Sequence, residues 1–138
     1  MKKILIIEDN PKEYKEICEG VKSSKHHVLI YEINLKELVD NLKNNNSVEN
    51  IPNDIDLFII DVSLKLGKEH NELGLQFLLE IQSKYKNKFD YIVTSYWDKA
   101  DFQLITNIDE SNFINKNNHK GFELVLKVKH QISILWEK

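Results

Sequence analysis

Apolar residues along this chain switch repeatedly between two periods. Ile4-Leu5-Ile6-Ile7 is an unbroken run, as expected of a strand covered on both faces. It ends in Glu8-Asp9, and Asn10-Pro11 follows as a cap with proline at the first helical position. Tyr14, Ile17, Cys18 and Val21 recur at i, i+3, i+4 and i+7, which predicts a helix over about 11–24. Val28 to Tyr31 reads as a second strand. Asn34-Leu35-Lys36-Glu37 has the form of a capping box, and Leu35, Leu38, Val39 and Leu42 give the second helix its stripe. Residues 43–55, rich in Asn and containing Pro52, read as a loop.

The third strand, Leu57-Phe58-Ile59-Ile60, is the most apolar and ends in Asp61. A long polar connection over 62–73 carries Gly67. Gly74 then opens a helix with Leu75, Leu78, Leu79, Gln82 and Tyr85. Tyr91-Ile92-Val93 is the fourth strand, ending in Thr94-Ser95, and Phe102, Ile105 and Ile108 predict a helix over about 98–108. Asn112 to Asn115 is a short fifth strand followed by Lys116. The last helix, over about 119–137, carries Phe122, Val125, Val128, Ile132 and Leu135. Five strand–helix alternations predict an α/β fold: a parallel sheet with helices on both faces, in a single domain over 1–138.

Composition narrows the partners. The chain has 41% hydrophobic and 30% charged residues and a formal charge of −3, which gives no case for nucleic acid. All 19 basic residues are lysines, so any phosphate contact from a basic side chain is a point charge and not a bidentate fork. Cys18 is the sole cysteine and sits in an apolar stripe, which excludes an intrachain disulfide and a cysteine-rich zinc site. No stretch approaches the ~20 apolar residues of a membrane span, and the N-terminal apolar run is too short for a signal peptide. A cytoplasmic protein is expected.

Polar residues gather where the strands end. Glu8 and Asp9 follow the first strand, Asp61 the third, Thr94 and Ser95 the fourth and Lys116 the fifth. In open parallel sheets the ligand site lies beyond the carboxyl ends, where strand order reverses. The fold therefore brings three carboxylates, one or two hydroxyls and one ammonium to the same edge. Carboxylates that close repel and raise one another's pKa unless a cation intervenes. Hard oxygen donors with room for waters and a phosphate oxygen suit Mg²⁺. One carboxylate can then act as a nucleophile toward phosphorus, with Lys116 and the Thr94 hydroxyl stabilising the transferred group.

These segments resemble bacterial response-regulator receiver domains of two-component signalling, the CheY-like family, over nearly the whole chain. The matching stretches are Ile4-Leu5-Ile6-Ile7-Glu8-Asp9-Asn10, Asp56-Leu57-Phe58-Ile59-Ile60-Asp61, Ile92-Val93-Thr94-Ser95 and Phe113-Ile114-Asn115-Lys116. The resemblance implies a doubly wound, flavodoxin-like three-layer sandwich with strand order 2-1-3-4-5. It makes Asp61 the phospho-acceptor and places Mg²⁺ on Glu8, Asp9, Asp61 and the backbone carbonyl of Ser63. Lys116 would pair with the phosphoryl group, Thr94 would be the switch hydroxyl and Phe113 the switch aromatic. It further implies a histidine kinase or histidine phosphotransfer protein as donor, a downstream protein as partner, and no enzymatic activity beyond the domain's own phosphorylation and dephosphorylation. Some positions depart from the family. No proline closely follows Asp61, Asn117 follows Lys116 where the family commonly has proline, and Ile108-Asp109-Glu110-Ser111 replaces a small Gly-Ala pair.

Other functions fit less well. A receiver-like interaction module that is never phosphorylated is the main alternative. An aspartyl phosphatase would want a second acid where Ser63 stands, and a P-loop or dinucleotide site needs glycines that Glu8-Asp9-Asn10-Pro11 lacks. His26 and His27 are adjacent in an extended segment and point to opposite faces, which disfavours a shared metal.

Overall fold

The computed structural model describes residues 1–45, 50–64, 72–102 and 108–137. Five strands, β1 (Lys2–Ile7), β2 (Val28–Tyr31), β3 (Leu57–Asp61), β4 (Asp90–Ser95) and β5 (Phe113–Asn115), form one sheet in the order β2-β1-β3-β4-β5. Every strand pairing is parallel. Four helices, α1 (Pro11–Lys22), α2 (Leu35–Asn45), α3 (Leu73–Lys84) and α4 (Phe122–Trp136), complete the α/β architecture expected from the alternating periods.

Residues alternate across the sheet and feed two cores. Leu5, Ile7, Phe58, Ile60, Val93 and Phe113 face a cluster with Leu38 and Val39 of α2 and Phe77, Leu78 and Ile81 of α3. Ile4, Ile6, Leu57, Ile59, Ile92 and Ile114 face a second cluster with Ile17 and Val21 of α1 and Leu124, Val128 and Ile132 of α4. The three central strands are therefore apolar on both sides, which explains their unbroken hydrophobic runs. Helices α1 and α4 pack tightly: a Cβ on Gly20 would lie 2.7 Å from the Val125 carbonyl oxygen.

Helix α1 starts where the sequence predicts, with the Asn10 side chain accepting from the Glu13 N–H at 3.0 Å and Pro11 in the first turn. The Asn34 side chain likewise accepts from the Glu37 N–H at 3.0 Å. The helix predicted over 98–108 does not form in the described part of that stretch. A single 3₁₀ turn spans Lys99–Asp101, and Phe102 is already extended. The Asp101 carboxylate accepts from the Asp98 N–H across that turn. Extension at Phe102 sends its ring into the core, 6.1 Å from the ring of Phe113 and edge-on to it. Ile105 and Gly67 lie outside the described residues.

Helix α4 buries Val125, Val128 and Ile132 as the stripe predicts, and Leu135 packs against the same core, but Phe122 does not. Its buried residues are Leu124, Val125, Val128, Gln131 and Ile132, while Phe122 is 71% exposed. The buried Gln131 side-chain amide shares its two N–H groups among the carbonyls of Glu110, Ser111 and Phe113, whose oxygens lie 3.1, 3.1 and 3.3 Å from its nitrogen. That polar anchor fixes the approach to β5 and hence to Lys116. No helix among the described residues is long and apolar enough to cross a membrane.

Candidate functional site

The carboxyl ends of β1, β3, β4 and β5 converge on a cleft of about 330 Å³. Glu8 and Asp9 leave β1 in a tight turn, in which the Asn10 N–H donates to Glu8 Oε2 at 3.1 Å. That turn keeps both acids at the sheet edge before α1 begins. Asp61 is the last residue of β3, in register with Thr94 of β4. The Gly74 N–H donates to the Val62 carbonyl at 2.8 Å, and a Cβ at Gly74 would lie 1.8 Å from the Asp61 carbonyl oxygen. Only glycine lets the start of α3 come that close to the acidic strand end. On the far side, the Lys116 N–H donates to the Ser95 carbonyl at 2.6 Å, which sets the lysine where β5 leaves the sheet.

One oxygen from each of Glu8, Asp9 and Asp61 lies within 4.8 Å of the others, so the three can share a metal ion. Glu8 and Asp61 are buried and Asp9 is half-buried. Burial, then the charge of Asp61, pushes the Glu8 carboxyl up to about 8. Burial raises Asp61 to about 6 against the opposing pull of Lys116, and burial also raises Asp9. Carboxylates that resist ionisation in a dry cluster are relieved by a divalent cation, and three oxygen donors suit a hard one.

Lys116 is the cluster's fixed counter-charge and is only 2% exposed. Its Nζ donates to Glu13 Oε1 at 2.7 Å, Glu8 Oε1 at 2.8 Å and Asp61 Oδ1 at 3.2 Å. Burial alone would lower this ammonium, but Asp61, Glu8 and Glu13 outweigh it and raise it. Its Nζ also lies 4.8 Å from the centre of the Tyr96 ring.

The structure thus brings together four of the residues singled out in the sequence, Glu8, Asp9, Asp61 and Lys116. Ser63 is buried in the cleft wall beside Asp61. Thr94 is fully buried next to Asp61, and its Oγ1 has no hydrogen-bond partner among the described residues. Phe113 stands apart, in the core against Phe102.

Sequence reasoning missed two residues at this site. Glu13 is buried and bonds both Lys116 and the Tyr96 hydroxyl. Tyr96 follows the Thr94-Ser95 strand end directly. A signal for Glu13 was present: with Ile17, Gly20 and Val21 it falls at i, i+4, i+7 and i+8 on the buried face of α1. A carboxylate on an inward stripe needs a buried cation.

No protein-family model matches this chain, and neither does any curated protein. Among solved structures, the chain is similar to one described as the yeast Spc42 trimeric coiled coil, amino acids 181–211, in a fusion. The two are 20% identical over 99% of this chain and 78% of that one, with a TM-score of 0.56. At that identity the likeness extends to the fold alone.

Proposed function

We propose that the protein is a response-regulator receiver domain that accepts a phosphoryl group on Asp61 in a Mg²⁺-dependent step. The observation that carries this is the convergence of Asp61, Glu8, Asp9 and Lys116 on one cleft, with the unpartnered hydroxyl of Thr94 one strand away. An acid cluster that can share a cation, a carboxylate among its members and a buried ammonium within reach are what phosphoryl transfer to an aspartate requires.

An Asp61 carboxylate oxygen attacks phosphorus. The bond from phosphorus to the donor breaks, and an acyl phosphate is left on Asp61. The donor is a phosphohistidine of a histidine kinase or phosphotransfer protein, and its imidazole leaves with the electron pair. Glu8, Asp9, Asp61 and the carbonyl of Ser63 would hold Mg²⁺, which when bound neutralises charge on the phosphoryl oxygens. Lys116 takes one of those oxygens as a single ammonium contact. Thr94 would donate its hydroxyl to another, giving its Oγ1 a partner. Phe113 follows as the core residue whose packing senses that movement and passes it to a downstream protein. The protein acts in the cytoplasm and not as an enzyme on other substrates.

A receiver-like interaction module that is never phosphorylated is favoured by one observation. The helix expected after β4 is replaced in its described part by a 3₁₀ turn and an extended Phe102. Beryllofluoride with Mg²⁺ separates the two. Amide shifts at Asp61, Thr94 and Phe113 are expected, and their absence favours the module.

A further inference from the structure

Glu13 lies outside the group that can share a cation, whose oxygens come from Glu8, Asp9 and Asp61. Its Oε1 makes the shortest of the three contacts to Lys116, at 2.7 Å. Its other oxygen accepts from the Tyr96 hydroxyl, and the Tyr96 ring lies over the same ammonium. The backbone of Glu13 is fixed in turn by the Asn10 cap of α1. Glu13 is therefore held on Lys116 from two directions while contributing nothing to the metal group.

A lysine ammonium has three donors, and here Glu8, Glu13 and Asp61 take all of them. A phosphoryl oxygen reaches Lys116 only when one of the three gives way. Asp61 is the acceptor itself, and Glu8 belongs to the metal group. Glu13 is the partner left to withdraw, past Tyr96, which is 41% exposed at the mouth of the cleft. We propose, on the receiver reading above, that Glu13 is the displaceable counter-ion of Lys116: held by Tyr96, it competes with an incoming phosphoryl group for the ammonium and sets how readily the site is filled. Glu13 is thus a positioning residue acting through Lys116.

The test compares beryllofluoride affinity at saturating Mg²⁺ for the wild-type protein, Glu13→Gln and Tyr96→Phe. Glu13→Gln removes one negative charge beside the bound anion and is expected to bind about tenfold tighter. Tyr96→Phe leaves the carboxylate but removes the hydroxyl that holds it, and is expected to bind tighter by a smaller factor. A merely structural role lowers thermal stability and leaves affinity unmoved, so equal or weaker binding by Glu13→Gln overturns the proposal. If Glu13→Gln does not fold, unchanged affinity in Tyr96→Phe overturns it instead. The Lys116 side-chain ¹⁵N resonance of the metal-free protein supplies an independent readout. It is expected to move in Glu13→Gln, and an unmoved resonance also overturns the proposal. If the resonance moves but the wild-type protein takes up no beryllofluoride, the receiver reading has failed and the competition falls with it, while the ion pair stands.

Discussion

The Lys116 ammonium lies 3.2 Å from Asp61 Oδ1, farther than its 2.7 and 2.8 Å contacts with Glu13 and Glu8. The carboxylate proposed to react is thus the least tightly held of the three around the lysine. Before a phosphoryl group arrives, Glu8 and Glu13 hold the ammonium at the sheet edge while Asp61 remains available at the cleft.

Removing the lysine leaves three carboxylates facing one another in a buried cluster. Breaking a buried ion pair on one side costs about 3–5 kcal/mol, because the partner charges lose their compensation. Lys116→Met is expected to destabilise the metal-free protein by about 3 kcal/mol or more, with Mg²⁺ restoring part of the loss. Urea unfolding with and without Mg²⁺ measures both effects. A variant as stable as the wild-type protein would contradict the ion-pair network.

The acids also set a pH dependence. Glu8 moves from 4.5 to about 8 and Asp61 from 3.8 to about 6, so the folded metal-free protein keeps protons that the unfolded chain releases. Folded-state values above the unfolded ones give stability that is fully present at low pH and lost as pH rises through them. For these groups the loss runs from about 4 to about 8. Mg²⁺ held there as proposed would bind the deprotonated carboxylates, so its affinity is expected to rise with pH over the upper part of that window and its binding to release protons. Calorimetry in buffers of different ionisation enthalpy at pH 6 and pH 8 reads both quantities. Affinity independent of pH, without proton release, would contradict the buried cluster.

Gly74 is expected to tolerate no side chain. A Cβ there would fall 1.8 Å from the Asp61 carbonyl oxygen, and that backbone cannot step aside without moving the acidic strand end. Gly74→Ala should cost at least about 2 kcal/mol and weaken Mg²⁺ binding together with stability. Thermal unfolding and Mg²⁺ titration of the variant test the coupling. Full Mg²⁺ affinity in a destabilised variant would show that the close approach does not position the site.

The site was legible in the sequence where polar residues terminate apolar runs. Glu8, Asp61, Thr94 and Lys116 each follow or end a strand that is apolar on both faces, and parallel topology carries those ends to one edge. Glu13 was hidden because acids are ordinary in the first turn of a helix, where they complement the dipole. Only its place on the inward stripe marks it out. The described part of the stretch at 98–108 misled for a different reason. Phe102 and Ile108 are buried as the helical spacing suggests, but Phe102 reaches the core with an extended backbone. Apolar spacing records which residues are buried and not by which backbone path. Phe122 was misplaced because, as the first residue of α4, it lies off the inward face that Leu124, Val128 and Ile132 share.

Gln131 gives a further expectation. Its two amide N–H groups are shared among three carbonyls on the segment leading into and through β5. Gln131→Leu removes the donor and leaves those carbonyls without this partner, at about 1–3 kcal/mol. Because that segment ends at Lys116, amide exchange should quicken at Phe113 and Ile114 as well as at the mutated helix. Protection unchanged in β5 would show that the anchor does not hold the strand.

The central claim is that Asp61 takes the phosphoryl group. Intact-protein mass spectrometry after incubation with acetyl phosphate and Mg²⁺ tests it most directly, comparing the wild-type protein with Asp61→Asn. The predicted result is a base-labile mass increase of about 80 Da, one phosphoryl group, in the wild-type protein, absent without Mg²⁺ and absent from the variant. Undiminished labelling of Asp61→Asn would place the acceptor elsewhere, and a wild-type protein that takes up no phosphoryl group would contradict the claim.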